Sequence, residues 1–162
     1  MNIPVIVNNK EITFNAKPDD SLADVLRSYG FKSVKCGCKR GLCGSCTVLL
    51  EEKPVCACRK PIASVRGQHV TTLEGFMSTQ IYADITKGFE QAGIHLCGFC
   101  NAGKYFAAYE ILNSGTRPTQ ESIIEYTNSF TCECTENSKV ISGILTAATL
   151  HRKHSSGSEN AN

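Results

Sequence analysis

Apolar and polar positions alternate over residues 3–7 and again over 11–15, and between them stands Asn8-Asn9, a pair that readily adopts hairpin turns. This predicts a β-hairpin. Pro18-Asp19-Asp20-Ser21 then supplies a helix start, Leu22, Val25 and Leu26 follow at i, i+3, i+4, and Gly30 supplies a stop. Residues 47–50, 54–56 and 70–72 read as strands. From Ser78 the period becomes helical, with Ile81, Ile85 and Phe89 on one face before Gly93. Tyr105, Ala108, Tyr109 and Leu112 mark a second helix, Thr119-Gln120-Glu121-Ser122 starts a third after the break at Gly115 and Pro118, and Val140, Ile141, Ile144, Leu145 and Ala148 mark a fourth. The pattern thus predicts an α+β chain: a small strand-rich domain over 1–76, a compact four-helix domain over 77–154, and a polar tail over 155–162 without apolar anchors, expected to be disordered.

Charge changes this picture little. In 162 residues, 17 basic side chains face 15 acidic ones, a formal net charge of +2, so no electrostatic footprint for nucleic acid is present. His151-Arg152-Lys153-His154 reads as a solvated helix end. No apolar run approaches the roughly 20 residues of a membrane span. The first residues carry polar groups where an export signal needs an apolar core, so a cytoplasmic chain with reduced thiols is expected.

The ten cysteines change it most, because clustered reduced thiols point to metal ligation. Counted from Cys38, the spacing C-x4-C-x2-C through Cys43 and Cys46, with a fourth thiol at Cys58, is the plant-type [2Fe–2S] pattern. Gly37, Gly41 and Gly44 let such a loop bend and aim amides at sulfur. Spacing leaves Cys56 and Cys58 interchangeable if that stretch is extended. A second set, Cys97-Gly98-Phe99-Cys100 and Cys132-Glu133-Cys134, sits at two expected helix starts, where unpaired amides and the helix dipole favour an anionic centre; four thiolates there also suit Zn²⁺. His69 and His95 would be needed for a Rieske centre only if thiols were lacking, and they read as surface residues.

The motifs Gly37-Cys38-x-x-Gly41-x-Cys43-Gly44-x-Cys46-Thr47-Val48, Cys58, Thr72-Leu73-Glu74-Gly75, Cys97-Gly98-Phe99-Cys100, Pro118-Thr119 and Cys132-x-Cys134-Thr135 together resemble the small iron–sulfur subunit of the xanthine dehydrogenase (molybdenum hydroxylase) family. The resemblance runs over almost the whole chain. It implies a plant-ferredoxin-like (β-grasp) domain holding one [2Fe–2S] cluster through Cys38, Cys43, Cys46 and Cys58, with Cys36 and Cys56 as packing thiols. It implies an all-α four-helix-bundle domain holding another through Cys97, Cys100, Cys132 and Cys134. Expected partners are a molybdopterin-binding large subunit beside the helical cluster and an FAD-binding medium subunit beside the other. Single electrons would pass from molybdenum through this chain to FAD or another acceptor, with no acid, base or nucleophile supplied here. Leu96 stands where the family usually has a pterin-contacting Gln, Asn101-Ala102-Gly103-Lys104 where it has Thr-Pro-Gly, Glu133 where it has Arg, and Glu136-Asn137 where it has Gly-Tyr. A carboxylate at Glu133 is expected to lower the potential of the neighbouring centre. A free-standing two-cluster carrier and a zinc-stabilised interaction module are the other classes compatible with the cysteines.

Overall fold

The computed structural model describes residues 1–127 and 134–158, the last two by backbone alone. Strand β1 (Asn2–Val7) and strand β2 (Lys10–Asn15) pair antiparallel with Val7 opposite Lys10. Asn8 and Asn9 between them have φ of 50° and 65°, the left-handed pair that a two-residue hairpin turn requires. Along β1 every second side chain, Ile3, Val5 and Val7, is buried, so the strand's period of two translates directly into an inner face. Helix α1 (Leu22–Ser28) starts where Ser21 accepts a hydrogen bond from the Asp24 amide, and it lays Leu22, Ala23, Val25 and Leu26 against that face.

The sheet closes with β3 (Thr47–Leu50), β4 (Lys53–Cys56) and β5 (His69–Thr71) in the order β2-β1-β5-β3-β4. Only β1 and β5 run parallel; the other neighbours are antiparallel. Two 3₁₀ turns, Ala57–Arg59 and Ile62–Val65, carry the chain from β4 to β5. One core gathers Ile3, Val5, Phe14, Leu22, Leu26, Val48 and Ile62.

Five helices follow: α2 (Leu73–Phe76), α3 (Gln80–Gln91), α4 (Asn101–Leu112), α5 (Gln120–Thr127) and α6 (Asn137–Ser158). The four expected helices are α3 to α6. The single turn α2 has too short an apolar pattern to be read from sequence. Its motif Thr72-Leu73-Glu74-Gly75 forms a seam: Asn8 Oδ1 accepts from the Thr72 amide at 2.9 Å, Asn8 Nδ2 donates to Thr72 Oγ1 at 2.9 Å, and Glu74 accepts from the Ser33 amide at 2.7 Å. Neighbouring residues of β3 then serve two cores, Val48 the one beneath α1 and Leu49 the helical one with Phe76, Ile85, Phe89, Phe106, Ile123 and Ile144. The alternation of a strand is what allows this, and it seats α4 on the sheet beside the first cysteine loop.

Helices α3 and α6 cross where Gly88 faces Gly143; a Cβ on Gly88 would stand 2.7 Å from the Ala147 amide nitrogen. Past the crossing, buried Asp84 of α3 accepts from Gln80 Nε2 at 3.0 Å and meets Nδ1 of His151 and of His154 at 2.8 Å each. His151 and His154 therefore belong to the α3–α6 interface, while Arg152 and Lys153 between them are exposed as expected. Helix α6 also continues through Ser158, four residues into the stretch whose composition predicts disorder. Ser155 and Ser156 hydroxyls donate to the His151 and Arg152 carbonyls at 3.0 and 2.7 Å, so serines that would compete with a helix elsewhere bond along it here.

Candidate metal centre

Residues 35–46 form a loop without regular structure that turns at Lys39 (φ 54°), Gly41 (φ 77°) and Gly44 (φ 69°). These turns aim three backbone amides at one sulfur. Arg40, Leu42 and Cys43 donate to Cys38 Sγ at 3.4, 3.3 and 3.4 Å. Those amides bring the Cys38 thiol down to about 6, the response of a group held ready as a thiolate. Cys43 Sγ lies 3.1 Å from Ser45 Oγ. Cys46, buried at the foot of the loop, accepts from the Cys58 amide at 3.5 Å, and burial first pushes the Cys58 thiol up to about 11. An amide cradle around the Cys38 sulfur, with the Cys58 amide on the Cys46 sulfur at the foot of the loop, fits the donor set of a thiolate-ligated cluster, while among the described residues no three sulfurs of this set lie within 4.8 Å of one another.

The two cysteines outside the spacing pattern take different paths. Cys36 Sγ donates to Asp24 Oδ1 at 3.2 Å, turning toward α1, and burial with that carboxylate pushes its thiol up to about 11. Cys56 stays close. Its Sγ lies 3.5 Å from the Gly41 carbonyl, and contact with the Cys46 thiol pulls it below the ordinary thiol range while Cys46 is pushed well above. Cys56 ends β4 in extended backbone whereas Cys58 lies on the following 3₁₀ turn, so the extended 56–58 stretch on which their interchangeability depends does not form.

In the helical part, the sulfurs of Cys97, Cys100 and Cys134 lie within 4.8 Å of one another, and Cys100 Sγ is 3.9 Å from Cys134 Sγ. Cys100 immediately precedes α4, and Cys134 stands three residues before α6. Both therefore sit where helix amides lack partners and the dipole favours negative charge. Cys132 and Glu133 lie outside the described residues. His95 is exposed and lines a cavity of about 360 Å³ with Cys134, Thr135, Glu136 and Lys139, while His69 is exposed on β5, where its amide donates to Glu51. On the other side of His95, Leu96 and Asn101 line a cavity of about 320 Å³ with Tyr82, Phe89 and Tyr105.

What sequence reasoning missed is how the two thiol sets meet. The Lys35 ammonium donates to the Gly98 carbonyl. A Cβ on Gly37 would stand 3.0 Å from Phe99 Cζ and 2.9 Å from Cys43 Sγ. A Cβ on Gly103, in the first turn of α4, would stand 2.9 Å from the Gly44 carbonyl oxygen. The cysteine loops are thus in direct contact, backbone on backbone at Gly44 and Gly103. Glycine at both positions is the only local signal, and glycine has many other uses.

Two family models match the chain in succession. Residues 5–71 match the model of a 2Fe-2S iron-sulfur cluster binding domain, and residues 72–145 match that of a [2Fe-2S] binding domain. The chain is 32% identical over 146 residues to the nicotine 6-hydroxylase small subunit of Paenarthrobacter nicotinovorans, covering 90% of this chain and 88% of that one. It is 31% identical over 135 residues to the nicotinate dehydrogenase small FeS subunit of Eubacterium barkeri, covering 83% and 86%. Among solved structures, a chain of quinoline 2-oxidoreductase from Pseudomonas putida 86 superposes with a TM-score of 0.85 at 30% identity, covering 94% of this chain and 96% of that one.

Proposed function

Because the chain belongs to the iron–sulfur small-subunit family of xanthine dehydrogenase-like molybdenum hydroxylases, we propose that it relays single electrons between a catalytic large subunit and an acceptor. Cys38, Cys43, Cys46 and Cys58 hold the first centre; Cys97, Cys100, Cys132 and Cys134 hold the second. Each [2Fe–2S] centre, when bound, supplies a one-electron couple. The chain's own residues do the rest. Amides of Arg40, Leu42 and Cys43 stabilise negative charge on Cys38, and the N-termini of α4 and α6 do the same around Cys100 and Cys134. Residues 1–76 and 77–154 act as the two holders, pressed together so that the centres share one short path.

The observation that carries this reading is the contact between the two cysteine loops through Lys35–Gly98, Gly37–Phe99 and Gly44–Gly103. Two metal sites serving only as structural staples have no need to touch; a relay does. The second centre faces the molybdopterin-binding large subunit, with Leu96 and Asn101 on that side. The first faces an FAD-binding subunit or another acceptor. The complex works in the cytoplasm, where thiols stay reduced. Its substrate is chosen by the large subunit, because no catalytic group is contributed here.

Iron and acid-labile sulfide analysis of the purified chain, with EPR during reduction, tests the assignment. The expected result is two irons and two sulfides per site and two distinguishable reduced signals. Zinc in place of iron, or a single signal with one site filled, overturns it. Copurification with molybdenum- and flavin-containing chains distinguishes a component of a larger complex from a free-standing carrier.

A further inference from the structure

Charge is unevenly distributed. Residues 25–68 hold nine of the 17 basic side chains but only two of the 15 acidic ones, a local excess of seven positive charges in a chain whose formal net charge is +2. Six of the nine, Arg27, Lys32, Lys35, Lys39, Arg40 and Arg59, lie in or beside the first cysteine loop. Lys39 and Arg40 lie exposed between Cys38 and Cys43. Arg59, next to Cys58, is exposed and runs its stem past Gly41, where a Cβ would meet Arg59 Cγ at 3.0 Å. Between them Leu42 is 54% exposed. Beside the loop, Arg27, Lys32 and Lys35 line an open cleft of about 470 Å³ with Cys36 and Phe99, whose ring is 49% exposed. Lys35 and Cys36 belong both to this cleft and to the loop, so the two are continuous.

Arg27 and Lys35 donate to the Val34 and Gly98 carbonyls, but none of these cations has a carboxylate partner among the described residues. Among the described residues the ion pairs both belong to Asp84, on the far helical side. Asp24 has one carboxylate oxygen taken by Cys36 and the other by Ser21. An exposed leucine and phenylalanine within a rim of unpaired cations have the anatomy of a docking site, an apolar centre with a charged surround. Cations serving only to balance an anionic centre need no exposed apolar residue among them.

We propose that this face docks an acidic protein surface, that of the partner receiving electrons from the first centre, with carboxylates set against Lys39, Arg40 and Arg59 around Leu42. This rests on the reading of the first loop as an electron-transfer centre. The docking partner is thereby of opposite charge to the basic rim, even though the loaded chain as a whole is anionic once the thiolate-bound centres are counted.

The test uses the full, cluster-loaded chain, reduced and mixed with ferricyanide or with hexaammineruthenium(III). One electron leaves the protein in either case, giving ferrocyanide or ruthenium(II). Ferricyanide is expected to oxidise the first centre faster at low salt and to slow by about tenfold or more as salt rises past the point where the Debye length is roughly 3 Å. Lys39→Gln/Arg40→Gln/Arg59→Gln is expected to abolish that salt dependence, while Lys87→Gln/Arg117→Gln/Lys153→Gln, an equal charge change in the helical part of the chain, leaves it intact. In titration calorimetry, poly-L-glutamate binds the wild type and not the first variant. Faster reaction with the ruthenium complex, a shifted midpoint without changed acceptor preference in the first variant, or tighter binding of polyuridylate than of polyglutamate each overturns the proposal. A chain that takes up no iron at the first loop overturns the underlying reading instead.

Discussion

Gly103→Ala isolates the contact on which a relay depends. In an isolated helix the change gains up to about 1 kcal/mol of helix propensity. Here the new Cβ would meet the oxygen, Cα and carbonyl carbon of Gly44 at 2.9, 3.2 and 3.3 Å. All three are backbone atoms, and no rotamer moves them. Either the start of α4 retreats by a few tenths of an ångström, or Gly44, itself held at φ 69° between Cys43 and Ser45, shifts the first loop. Overpacking of this kind costs about 1–3 kcal/mol, so the net change is a loss of roughly 0–2 kcal/mol. At roughly 2–4 °C per kcal/mol for a chain of this size, the melting temperature falls by up to about 8 °C. Loaded proteins are compared at one scan rate, because loss of metal makes unfolding irreversible.

The second readout is the dipolar splitting between the two reduced centres in EPR, which weakens steeply as they separate. We expect a smaller splitting and slower internal electron transfer, with iron content unchanged. Gly115→Ala serves as the control: at φ 75° and with nothing within 4 Å of its Cβ, it strains the backbone by about 1–2 kcal/mol without touching either loop. Melting at or above the wild-type temperature with an unchanged splitting in Gly103→Ala would falsify the claim that this contact sets the spacing.

Three further outcomes are expected, two from the geometry and one from the charge of Glu133. Cys58→Ser is expected to lose the first centre while Cys56→Ser keeps it, read by iron content and EPR; the reverse result reassigns the fourth ligand to the end of β4. Asp84→Ala strips the partner from Gln80, His151 and His154 and is expected to cost roughly 1–3 kcal/mol at neutral pH. Burial pushes the Asp84 carboxyl up, but hydrogen bonds from His151, Gln80 and His154 outweigh it and hold the group below its usual range. A depressed folded value means that this stabilisation is complete above the unfolded carboxyl range, near 4, and fades as pH falls through the folded value. Denaturant melts of wild type and Asp84→Ala should therefore converge in acid, and a gap that stays constant from pH 7 to pH 3 speaks against the charge-assisted network. Glu133→Arg is expected to raise the midpoint of the second centre in an EPR-monitored titration; an unchanged or lower midpoint discards the charge argument.

The hairpin at Asn8-Asn9, the cap at Ser21 and the four longer helices were legible because each is a local pattern read over a few residues. The plant-type spacing was readable for the same reason, with Cys38, Cys43 and Cys46 on one loop and Cys58 just past the hairpin that follows it. Cys36 and Cys56 were not told apart from ligands by counting; a hydrogen bond to Asp24, distant along the surface of α1, turns one of them away. The helical extension through Ser158 also escaped the composition, since buried Asp84 holds His151 and His154 and the serines that follow bond back along the helix.

Local periodicity and cysteine spacing by themselves determined that two thiol-rich units stand side by side in this chain, because turns, caps and ligand loops are made from neighbours in sequence. Only the tertiary structure decided that the units touch through Gly44 and Gly103, that Val48 and Leu49 divide one strand between two cores, and that Arg59 is brought against the first loop at Gly41. Contacts of that kind join residues far apart along the chain, and their geometry is set by close packing of whole surfaces, for which no short stretch of sequence carries a signature.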